Sequence, residues 1–108
     1  LEAMRKTGVR IMAGTDVPLR SDVAPLHEEL VLLVKAGLSP MEALQSATRN
    51  PAEFLGTLRT EGTIEVGKLA DLVLLEASPL VDIANTRRIA AVIRAGTLIE
   101  PNASQRPR

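Results

Sequence analysis

The sequence predicts a soluble, aliphatic-rich α/β fold, and three observations carry that expectation. The first half contains short stretches with helical apolar spacing and clear start and stop residues. The second half changes period to continuous apolar runs, such as Leu72-Val-Leu-Leu75 and Ile89-Ala-Ala-Val-Ile93. Near the beginning, residues 9–16 read Val-Arg-Ile-Met-Ala-Gly-Thr-Asp, a short apolar strand ending in one carboxylate.

Bulk properties narrow the function classes. A chain of 108 residues is one domain at most, large enough for a core but short for a complete large enzyme fold. Thirteen basic residues offset thirteen acidic ones, so no global field recruits nucleic acid or an anionic membrane. No run of about 18 apolar residues is present to span a bilayer. No charged and then apolar leader opens the chain, which points to the cytoplasm. Zero cysteines exclude disulfides, thiolate metal sites and cysteine nucleophiles. The single aromatic residue, Phe54, argues against base stacking. Residues 1–7 read as the last turns of a helix, with Lys6 in the final turn and Gly8 as the stop. A chain that begins inside a helix is expected to be a fragment.

The elements follow in order. A strand is predicted over residues 9–13, then a loop over 17–25 that carries two prolines, Arg20 and Asp22. Residues 26–36 form a helix by pattern, with Leu26, Leu30, Leu33 and Val34 on one stripe. Glu28 and Glu29 in its first turn and Lys35 in its last agree with the helix dipole, and Gly37 ends it. A second helix spans 40–49: Ser39 is the N-cap, Pro40 the first helical residue, and Glu42 completes a capping box. Met41, Leu44 and Thr48 line one of its faces. Asn50-Pro51-Ala52-Glu53 repeats the start signal and opens a short helix that Gly56 closes, so a break separates two helices.

Residues 62–67 enclose a short strand or turn around Ile64 and Val66. The Leu72–Leu75 run reads as a strand buried on both faces. Residues 79–83 are a connecting turn, and 89–93 pairs with 97–99 as a hairpin through Ala95-Gly96. The tail, 101–108, is polar and expected to be disordered; its Asn102-Ala-Ser104 sequon is set aside without an export signal. Residues 9–56 lack enough strands for their own sheet, and a lone buried-type strand has two unpaired edges. Something outside the chain is expected to pair with it.

Asp16 is the leading candidate for chemistry. Open α/β sheets and barrels place their chemistry at the carboxyl ends of strands. Gly14 permits a sharp turn there, and Val17-Pro18 prevents the strand from continuing. The competing role for Asp16 is a simple turn cap. His27, the only imidazole, is a ligand by type but has no partner in spacing; it reads as a helix-start hydrogen bonder or a group behind the site. Arg20 is a candidate substrate contact, with a solvated loop charge as the default. Asp71, just before a strand, is expected to bond turn amides, and Met12 and Met41 to fill core.

These residues together resemble the metal-dependent amidohydrolase superfamily. The resemblance is carried by Ala13-Gly-Thr-Asp16, Leu26-His-Glu-Glu-Leu30, Gly37-Leu-Ser-Pro40, Glu42-Ala-Leu44, Ala47-Thr48 and Asn50-Pro-Ala52. It continues through Gly62-Thr-Ile-Glu-Val-Gly67-Lys-Leu-Ala-Asp71-Leu-Val73 and Pro79-Leu-Val-Asp-Ile83. Single pieces are weakly specific, whereas their order and spacing are strong. Within the superfamily the pattern is similar to the imidazolonepropionase-related and Xaa-Pro dipeptidase-like branch.

The resemblance implies the C-terminal part of a (β/α)8 TIM barrel plus strands of a small composite β-sandwich. Residues 1–60 would be the end of the barrel, 61–100 the sandwich strands and 101–108 the tail. It implies a divalent metal, zinc by default and one or two ions, held mostly by histidines that this chain lacks. Asp16 matches the family's strand-eight Asp, which touches the metal and moves the proton of a metal-activated water. The implied activity is hydrolysis of a carbon–nitrogen bond in a small amide, cyclic amide or dipeptide, with the 108-residue chain inactive alone. Its expected partners are a second copy or the remainder of the parent barrel. The alternative is a shortened, non-catalytic scaffold or interaction module of the same fold. Substrate identity stays open, because only one of the barrel's strand-end loops is here.

Overall fold

The structure, a computed structural model, describes residues 8, 10–14 and 25–99. Three helices precede a three-stranded antiparallel sheet, in the order helix α1 (Pro25–Lys35), α2 (Pro40–Ala47), α3 (Arg49–Leu55), strand β1 (Leu72–Leu75), a 3-10 helix (Ile83–Arg87), β2 (Ile89–Arg94) and β3 (Thr97–Ile99). Asp16, Arg20, Asp22 and the tail from residue 100 lie outside the described residues.

Helix α1 buries Leu30 and half-buries Val31, Leu33 and Val34, as the apolar spacing requires, while Leu26 at its start is exposed. Gly37, at φ 120°, closes it: Leu38 N–H donates to the Leu33 carbonyl and Gly37 N–H to that of Val34. This paired closure satisfies two carbonyls that the helix end would otherwise leave unpaired, and it brings Leu38 into the core. At the start of α2 the Ser39 hydroxyl accepts from Glu42 N (3.1 Å) and the Glu42 carboxylate from Ser39 N (3.0 Å), completing the capping box.

The buried face of α2 differs from the sequence expectation. Ala43 and Ser46 are fully buried, whereas Met41 is 48% exposed and Thr48 is also exposed. Small side chains on that face let another backbone approach closely, so packing selects Ala and Ser over the larger Met. Thr48, at φ −127° and ψ −77°, then breaks the helix. Its hydroxyl donates back to the Leu44 carbonyl at 2.8 Å, a bond that competes with regular helix geometry. Helix α3 begins at Arg49, so Asn50 sits inside its first turn and is not its N-cap.

The core lies between α1, α2 and the 3-10 helix, where Leu30, Ala43 and Ile83 meet. Asp82 caps the 3-10 helix, its Oδ1 accepting from Ala84 N at 2.9 Å. Residues 62–67 resolve as a turn, with Ile64 and Val66 exposed. Lys68 closes that turn through Glu65, at 3.1 Å, and the Thr63 hydroxyl.

In the sheet, β2 is central and pairs with both neighbours, Leu72 opposite Ile93 and Ile93 opposite Leu98. Ala95 (φ 49°) and Gly96 (φ 81°) form the predicted two-residue hairpin turn, both with positive φ, the geometry that matches strand twist. Ala95 N–H donates to Asp71 Oδ1 at 2.7 Å, so Asp71 takes the turn-bonding role expected of it. One expectation is overturned: β1 is not buried on both faces. Val73 is 55% and Leu74 61% exposed, while Leu72 and Leu75 are half-buried, and successive strand residues point to opposite faces, so each face of β1 is covered only in part. The run is apolar enough for a sheet packed on both sides, but the described residues cover each side only in part.

Candidate functional site

The segment leading toward Asp16 is described over residues 10–14. Among the described residues it belongs to no strand ladder, so its backbone groups must find partners elsewhere. They find them at the break between α2 and α3. Ala13 N–H donates to the Ser46 carbonyl at 2.8 Å, and the Asn50 side-chain amide donates to the Ile11 carbonyl at 2.8 Å. These are the two groups that flank Met12, so one helix break engages the segment at two points. A continuous helix would use the Ser46 carbonyl for the amide four residues on; with the break at Thr48 it accepts from Ala13. Arg10 adds an exposed ion pair to Glu53 on α3 (3.2 Å), a weak contact that guides orientation more than stability. Met12 itself is 46% exposed, contrary to a core-filling role. An open cavity of about 200 Å³ borders the Gly8–Ile11 end of the segment.

His27 lies in the first turn of α1, half-buried, and its Nδ1 shares a hydrogen bond of 2.9 Å with the hydroxyl of Thr86, which is buried in the 3-10 helix. Burial and, second, the nearby Arg87 charge hold its pKa below the ordinary histidine value, so the neutral ring is favoured. The hydrogen bond ties α1 to the 3-10 helix across the core. Among the described residues no group of three or more His, Cys, Asp or Glu side chains could hold a metal ion. His27 belongs to no such group, and the described residues do not fit a metal centre by themselves.

Sequence reasoning assigned Asn50 a capping role and did not foresee its bond to Ile11. An Asn before a Pro is an ambiguous signal, because the same amide can cap its own helix or reach a distant backbone. Thr86 carried no sequence signal; only the fold brings it against a residue 59 positions earlier.

The family described as the amidohydrolase family matches residues 1–99. The chain belongs to the amidohydrolase family. Among its relatives, an imidazolonepropionase from Pseudomonas savastanoi pv. phaseolicola is 40% identical over 88 residues, covering 78% of this chain and 21% of that protein. An imidazolonepropionase from Thermoplasma volcanium is 31% identical over 107 residues, covering 90% of this chain and 26% of the relative. Among solved structures, a Xaa-Pro dipeptidase with bound methionine in the active site superposes with a TM-score of 0.81 at 35% identity, covering 92% of this chain and 24% of that one. Molinate hydrolase gives a TM-score of 0.81 at 29% identity, over 98% of this chain and 28% of that one. The amidohydrolase chain thus spans about a fifth to a quarter of the length of the relatives it matches.

Proposed function

We propose that this amidohydrolase chain is the C-terminal portion of a metal-dependent hydrolase acting on carbon–nitrogen bonds, and that Asp16 is its contribution to the active site. The observation that carries the reading is the family match over residues 1–99. The partly open faces of β1 support it, since such an apolar run suits a larger assembly. In this reading residues 1–60 end the barrel and 61–100 supply sandwich strands. The described residues do not fit a metal site, so the divalent metal, zinc by family resemblance, falls to ligands outside them. Asp16 is assigned as the ligand and proton-transferring carboxylate that this chain brings; Arg20 is assigned to the substrate side. The substrate class is a small amide, cyclic amide or dipeptide, in line with relatives named imidazolonepropionase and Xaa-Pro dipeptidase. The cytoplasm is the proposed compartment; no described helix is long and apolar enough to cross a membrane.

The test is Asp16→Asn in the complete polypeptide that contains this chain, with turnover, metal content and melting followed together. The expected outcome is a loss of at least about 100-fold in kcat with the fold retained. Unchanged turnover would exclude the assigned role of Asp16. A complete reading frame without a His-x-His pair upstream, and with no hydrolysis, would favour the non-catalytic scaffold.

A further inference from the structure

We propose that Asn50 is a positioning residue: its side-chain amide, acting with the Ser46 carbonyl, clamps residues 11–13 and so sets the place of the segment end that carries Asp16. The inference rests on the functional reading above only for the role of Asp16; the clamp itself is read from the geometry. Its two hydrogen bonds, Asn50 Nδ2 to the Ile11 carbonyl and Ala13 N–H to the Ser46 carbonyl, are both 2.8 Å. A single bond would leave the segment free to pivot, whereas two bonds on either side of Met12 fix both its position and its direction. Ala13 is three residues from Asp16, so the chain keeps the carboxylate within about 10 Å of the clamp.

The clamp is anchored in the rigid part of the molecule. Ser46 is fully buried, and its hydroxyl donates to the carbonyl of Ala43, which sits in the core with Leu30 and Ile83. The Ser46 contribution comes from its backbone, and it depends on the helix break at Thr48. Asn50 is the one side chain in the clamp, and therefore the one that substitution can remove. Its chemistry is specific. Ile11 presents a carbonyl oxygen, so the partner must donate, and an Asp of the same shape would oppose one oxygen with another at neutral pH. Removing the amide leaves a partly buried carbonyl without the donor it now has.

The experiment uses the complete enzyme and three variants: Asn50→Ala, Asn50→Asp and Asp16→Asn. The readouts are kcat and KM measured separately, melting, and hydrogen exchange at the Ala13 amide. Both Asn50 variants are expected to lower kcat about 10- to 100-fold, as a misplacement near 1 Å would, with KM within about threefold. Ala13 exchange should rise in both, and Asp should behave like Ala. A kcat within twofold of the parent for Asn50→Ala overturns the proposal, as does an Asp variant that keeps parental kcat, which would mean that shape matters and the donor does not. Should both variants fail to fold, the parent protein still decides: free exchange of the Asn50 side-chain amide overturns the clamp, and protection of that amide supports it. Asp16→Asn separates the two ideas. If it retains turnover, the functional reading falls, while the Ala13 exchange of the Asn50 variants still judges the clamp.

Discussion

Replacing Gly62 by Ala tests how tightly the turn after α3 is packed onto the helix break. Gly62 has φ +96°, and a Cβ there would lie 2.6 Å from the Ala52 Cβ, 3.3 Å from Leu58 Cδ1 and 3.3 Å from the Thr48 carbonyl oxygen. Carbon atoms are comfortable at about 3.5–4.0 Å, so the methyl falls about 1 Å short against Ala52. Ala52 is buried in α3, and moving it moves the helix break that holds residues 11–13. Overpacking of this kind costs about 1–3 kcal/mol, and the positive φ adds about 1–2 kcal/mol. The expected loss is therefore about 3 kcal/mol, read as a lower urea midpoint at unchanged m-value.

Gly67→Ala is the matched control. It has nearly the same φ, +93°, with nothing within 4 Å of the added methyl. It should show only the backbone cost, about 1–2 kcal/mol. The effect of Gly→Ala on the unfolded chain is common to both and cancels in the difference. Equal losses in the two variants would refute the packing argument.

Two further outcomes follow from the site and the sheet. His27 has a folded-state pKa below its ordinary 6.5, so the unfolded chain takes up the proton first as pH falls. Stability should be full well above about pH 6.5 and fall as the pH drops below that value; because His27 is the only histidine, His27→Gln should remove that limb, as denaturation at about pH 7.5 and 5.5 will check. Asp71→Ala removes the acceptor for Ala95 N–H and should cost about 1 kcal/mol, with faster amide exchange at Ala95. Asp71→Asn should recover most of that loss, and an unchanged Ala95 amide in Asp71→Ala would argue against the bond.

Local signals carried most of the element map. The Ser39–Glu42 box, the stops at Gly37 and Gly56 and the Ala95-Gly96 turn were legible because each is decided by residues within one turn of one another. Burial was less legible. Met41 and Met12 are apolar enough for a core, and the Leu72–Leu75 run is apolar enough for a two-sided sheet, yet both methionines and the middle of the run, Val73 and Leu74, are exposed. Apolarity says what a side chain tolerates, and the layer that covers it lies elsewhere. Family membership was legible from the order of motifs, while Asp16 and Arg20 remain sequence assignments carried into the proposed function.

By itself the sequence determined the Ser39 start of α2, the stops at Gly37 and Gly56 and the hairpin turn, though not the break at Thr48, because caps, left-handed stops and turn residues act over a few bonds. The tertiary structure alone decided that Ser46 and Asn50 hold residues 11–13 and that Thr86 meets His27. Those pairings span 33 to 59 positions. They depend on a helix break that turns a carbonyl away from its own helix and on small side chains that let two backbones approach. No local pattern encodes which distant donor will arrive.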